Sequence, residues 1–177
     1  MPRVVVGVLA VLLTVLLGAC ATSPAPPAAP PPPTPAVAPG SLQLTGAVTT
    51  PTTLDAAALA ARPHTAVDVA FQSAKGAEHH HEDGVLLASL LPVSALALTP
   101  GRKNDQAALA VIATGADGYA ATLSYGEIDP DLGNRGVLVA TAEDGKPLAR
   151  PRLVVPGDVK GARDVSDLVA LHVGHVS

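Results

Sequence analysis

Nine prolines stand between Pro24 and Pro39, within the twenty residues ATSPAPPAAPPPPTPAVAPG (21–40). Each removes a backbone donor and fixes φ, so this stretch admits neither a helix nor an internal strand. It reads as an extended, disordered linker rich in Pro and Ala. The run divides a chain of 177 residues. Whatever folds around a core must lie in 41–177, a length suited to one domain.

Residues 1–20, MPRVVVGVLAVLLTVLLGAC, have a different character. Arg3 precedes an apolar stretch from Val4 to Leu17, too short to serve comfortably as a mature membrane span. It ends in Leu17-Gly18-Ala19-Cys20, which resembles the lipobox of bacterial lipoprotein signal peptides. Small residues precede the bond to be cut, and a thiol follows to carry lipid. Cys20 is the only cysteine of the chain. The expectation is a signal peptide over 1–20, lipid on Cys20, and a domain held off a membrane in the bacterial cell envelope by the linker.

Without a further cysteine, the domain has no disulfide and no thiolate ligand of its own, so packing must hold it. Phe71, Tyr119 and Tyr125 are its only aromatics. The core must therefore be Val, Leu and Ala, with both tyrosines as packing residues. Beyond Arg3, ten basic residues face fifteen acidic ones. Mild acidity, no basic stripe and few rings for stacking speak against a nucleic-acid partner.

LQLTGAV (42–48) reads as a strand, and TTLDAAALAA (52–61) as a short helix. HTAVDVAFQ (64–72) alternates, with Val67, Val69 and Phe71 on one face. GVLLASLLPVSAL (84–96) reads as a buried helix broken at Pro92. Residues 107–128 and 136–157 each read as two strands about a Gly-containing turn. DLVALHVGHV (167–176) closes the chain as a strand. The pattern predicts an α+β class with β dominating: a mixed sheet of six or seven strands and two or three short helices.

FQSAKGAEHHHED (71–83) holds the densest set of candidate ligands. On a strand His79 and His81 share one face, with Asp83, while His80 points away. A His-x-His pair with a carboxylate suits zinc, copper or nickel. The same stretch reads first as the polar rim of a cleft, and only second as a metal cage. Ser73 lacks a nucleophile elbow and reads as a turn hydroxyl. Arg163 either clamps a phosphate or oxyanion or pairs with Asp164 or Asp167. Asp129, Asp131 and Asn134 read as a turn, since their spacing is not that of a calcium loop.

Four stretches, in order, resemble the molybdopterin-binding domain of the sulfite oxidase family. They are LTGAVTTPTTLDAAALAARPHTAVDVAFQSA (44–74), GVLLASLL (84–91), VLVATAEDGKPL (137–148) and RLVVPGDVKGARDVSDLVAL (152–171). The likeness spans nearly all of 41–177 and is nearest to short stand-alone members. It implies that family's fold and a molybdenum–molybdopterin cofactor, with Ser73 and Arg163 at the cofactor. It also implies an electron-transfer partner protein, since the chain has no haem or iron–sulfur motif. Three departures stand out. Ser73 occupies the position of the family's cysteine ligand, Ser166 follows Val165 where a lysine is frequent, and no longer N-terminal region precedes the domain. Two functional readings result. One is a lipid-anchored, redox-active oxidoreductase-like protein. The other is a non-catalytic tethered module that binds a small anion, a metal or a protein partner.

Overall fold

The computed structural model describes residues 40–176. The expected signal peptide, Cys20 and the linker up to Pro39 lie outside the described residues. Among the described residues, nine strands form two sheets. The first contains β1 (Leu42–Gly46), β2 (Thr52–Leu54), β5 (Leu109–Gly115), β6 (Ala120–Ser124) and β9 (Leu168–His175), in the order β2-β1-β9-β5-β6. The second contains β3 (Thr65–Ser73), β4 (Gly76–Leu86), β7 (Leu138–Glu143) and β8 (Lys146–Val154), in the order β3-β4-β7-β8. β1 runs parallel to β9, with Leu44 opposite Leu171. Every other pairing is antiparallel. Three short helices complete the fold: α1 (Ala56–Ala60), α2 (Leu87–Leu90) and α3 (Tyr125–Ile128).

The β-dominated α+β class and the mixed pairing agree with the sequence pattern. The strand number rises to nine because two further segments are extended. Thr52–Leu54, expected to begin a helix, pairs with β1 instead. Its two threonines are β-branched and suit an exposed edge. The helix starts only after Asp55, whose Oδ1 accepts the Ala58 amide at 2.7 Å. Likewise, the expected helix over 84–96 begins late. Val85 and Leu86 still belong to β4, helical turns cover only Leu87–Leu90, and a 3₁₀ turn (Val93–Ala95) follows Pro92. An apolar run without clear periodicity suits a buried strand end and a buried helix alike.

The main core lies between the sheets. Leu42, Val111, Leu123, Leu171 and Val173 from the first meet Val85, Val139 and Leu153 from the second. A smaller cluster of Val69, Leu138, Ala140 and Val154 covers the other face of the second sheet, with Val67 and Phe71 against it. Consecutive residues Leu138, Val139 and Ala140 are thus all buried, as expected of an internal strand covered on both sides. Gly84 fits against this strand at a bulge, where a Cβ would lie 2.2 Å from the Val139 carbonyl oxygen. Ser124 and Glu127 form a capping box that starts α3. It delivers the Tyr125 hydroxyl to the Leu91 carbonyl, to which it donates at 2.7 Å. Burial pushes that phenol up to about 12.

Candidate binding cleft

The β3–β4 hairpin turns through Ala74 and Lys75, so Ser73 pairs with Gly76. That register places Phe71 opposite Glu78, Val69 opposite His80 and Val67 opposite Glu82. Opposed residues in an antiparallel pair point to the same side. The apolar face of β3 therefore carries Glu78, His80 and Glu82 beside it on β4. β7 adds Glu143 opposite Glu82, and β8 adds Arg152. The segment after β8 brings Gly161, Asp164 and Ser166, and together these line a cleft of about 360 Å³.

Each charge in the cleft has a defined setting. His80 lies between two carboxylates, its Nδ1 3.0 Å from Asp144 and its Nε2 3.2 Å from Glu78. Asp144, then Glu78, raises its pKa. Its ring stacks on Phe71 at 5.9 Å between centroids. Hydrogen bonds from Ser73 and then His80 hold the Glu78 carboxyl below the usual range. Arg152 donates to Glu143, while its contact with Glu82 Oε1 is looser, at 3.6 Å. Glu82 is 2% exposed, and its Oε2 has no hydrogen-bond partner among the described residues. Burial raises its pKa, with Arg152 the main opposing influence. Asp164 Oδ1 accepts the Val155 amide at 2.8 Å, and burial raises that carboxyl too. Gly161 packs so closely on Phe71 that a Cβ would sit 2.9 Å from its ring.

The residues singled out in the sequence are placed differently. His79 and His81 do share the outward face of β4, away from this cleft, and both are exposed. His81 Nδ1 lies 2.8 Å from Asp68, and Asp83 lies 2.6 Å from His64. Asp83 is thus engaged with another histidine. Among the described residues, no three His, Cys, Asp or Glu side chains come together in an arrangement able to hold a metal ion. Arg163 is gripped by carboxylates. It donates twice to Asp158, at 2.7 and 2.6 Å, and to Glu127 at 3.1 Å. The ion-pair reading of Arg163 holds, with Asp158 and Glu127 rather than Asp164 or Asp167. Asp129 accepts the Asp131 amide at 2.9 Å, as expected of a turn. Sequence reasoning misses Arg152 and Glu143, which carry no local signal. Glu82 has one, the alternation Glu78-x-His80-x-Glu82 beside an apolar strand.

Ser73 lines a second, adjoining cleft of about 480 Å³ with Phe71, Lys160 and Gly161. Its Oγ accepts the Lys75 amide at 2.9 Å. A molybdopterin cofactor needs a soft donor for its metal and cationic partners for its phosphate. Ser73, which the sequence resemblance sets at the donor position, is a hydroxyl tied into a two-residue turn. Arg163 is saturated by carboxylates. In the cleft beside it Glu78, Glu82, Glu143 and Asp164 outnumber Lys75 and Arg152. These residues do not fit that cofactor.

No protein-family model matches the chain, and no curated protein matches it. Among solved structures it is similar to the sulfane dehydrogenase SoxCD from Paracoccus pantotrophus, with a TM-score of 0.60 and 19% identity. The match covers 76% of this chain and 38% of that one. The likeness is one of fold. It agrees with the sulfite-oxidase molybdopterin-domain topology implied by the four sequence stretches. The chain spans well under half of the protein it matches.

Proposed function

We propose that this protein is a lipid-anchored module of the bacterial cell envelope that uses an oxidoreductase-like fold for binding rather than redox catalysis. The observation that carries this reading is the Ser73 turn. Ser73, set at the family's thiolate by the sequence resemblance, is held by the Lys75 amide, and the adjoining cleft is rich in carboxylates. Fold alone does not bring an activity with it. The Cys20 motif and the proline linker support the anchor and the spacer.

Purification without a metal-affinity tag, from a host that makes the cofactor and exports it loaded, tests the reading. Elemental analysis should find molybdenum far below one equivalent, and oxidised extracts should lack pterin fluorescence. Molybdenum near one equivalent with pterin would restore the enzyme reading, together with its electron-transfer partner. Cys20→Ala should move the protein out of the membrane fraction. Retention there would overturn the lipid anchor.

A further inference from the structure

Glu82 is the least expected residue of the cleft. Its side chain is almost wholly buried, yet it lines the cavity and its Oε2 has no partner among the described residues. A carboxylate oxygen kept from solvent without a donor is costly. Native proteins hold such groups where a ligand, ion or water completes them. Arg152 does not complete this one. It donates to Glu143, and its approach to Glu82 is to Oε1 at 3.6 Å, beyond hydrogen-bond length.

The surroundings define the missing group. It must donate, because a carboxylate accepts. It should carry positive charge, because Glu78, Glu82, Glu143 and Asp164 outnumber Lys75 and Arg152 in the lining. It need not be a metal ion, since no three ligands converge among the described residues and His80 is already occupied by Asp144 and Glu78. Phe71 supplies an apolar wall suited to a flat or compact cation. We propose that the cleft binds a small organic cation, an amidinium, guanidinium or ammonium group, which donates to the Glu82 carboxylate while its body lies against Phe71. This deepens the binding-module reading and rests on it.

Benzamidine is the probe, and neutral benzamide its control. Both are titrated by calorimetry into the full-length chain in detergent, after the molybdenum content of the same sample is measured. Benzamidine should bind saturably at one site and benzamide should not. Glu82→Gln should weaken benzamidine by at least about tenfold, the scale of one charged hydrogen bond. Absent saturation, equal binding of benzamide, or a smaller loss in Glu82→Gln overturns the proposal. If Glu82→Gln does not fold, Phe71→Leu serves instead. It should weaken benzamidine about threefold by removing the aromatic face, and unchanged affinity overturns the proposal. A sample loaded with molybdenum sinks the binding-module reading itself. A molybdenum-free sample that ignores benzamidine sinks only the ligand class.

Discussion

Arg152→Met should destabilise the domain in a way that depends on pH with a defined sign. The guanidinium stands between Glu143, to which it donates, and Glu82, 3.6 Å away. Those two carboxylates are opposed across β4 and β7, so its removal leaves like charges facing each other. One charge-assisted hydrogen bond is worth about 1.5–3 kcal/mol, and breaking a buried pair costs about 3–5 kcal/mol. The Arg152 and Glu143 side chains are 27% and 23% exposed, so solvent screens part of the loss. The expected cost at pH 7 is about 2–3 kcal/mol, or ~10 °C in Tm for a domain of this size.

Glu82 fixes the sign. Its pKa in the folded protein is already raised by burial above its ordinary 4.5. Loss of Arg152 raises it further. An acid with a raised native pKa contributes stability below its unfolded pKa, and that contribution disappears as pH rises through the native value. The deficit of Arg152→Met should therefore be small at pH 4 and full at pH 7. Adding Glu82→Gln should recover much of it at pH 7. Urea titrations followed by circular dichroism at both pH values measure this. A deficit equal at the two pH values, or larger at pH 4, would refute the account of Glu82.

His80 should titrate above 6.5 by NMR, and Asp144→Asn should bring it back towards that value, because Asp144 is the first cause of the shift. Its contribution to stability is present below 6.5 and fades as pH climbs through the raised native value. Arg163→Met should lower Tm without altering benzamidine binding, since Arg163 ties Asp158 to Glu127 and does not face the cleft; a changed affinity would bring Arg163 back as a binding residue. Gly84→Ala should destabilise by about 3 kcal/mol or more, as the new Cβ meets backbone that cannot yield; unchanged thermal melting would contradict the close strand approach.

Much of the fold was readable where turns and alternation agree. The hairpins β5–β6 and β7–β8 announce themselves through Gly118 and Gly145, and β3 through Val67, Val69 and Phe71. β4 was harder to read. Its first half is polar on both faces, Glu78 to Asp83, and its end is apolar on both, so no period of two stands out. The alternation rule correctly separates His80 from His79 and His81. It does not say which side faces inward. That follows from the hairpin register, which sets Val69 beside His80, and hence from a two-residue turn that Ser73-Ala74-Lys75-Gly76 does not declare. Glu143 and Arg152 join the cleft from two other strands, and only tertiary structure brings them there.

The last strand has a further consequence. β9 lies between β1 and β5 in the middle of its sheet, so the N-terminal β1–β2 ribbon cannot join the rest of that sheet until Leu168 and its successors arrive. Productive folding must wait for the whole polypeptide, and pairing across so long a separation is slow. This late keystone keeps the first sheet open until the C-terminal strand is available. A stop codon just before Leu168 should leave a product that proteases clear rather than a shortened native domain.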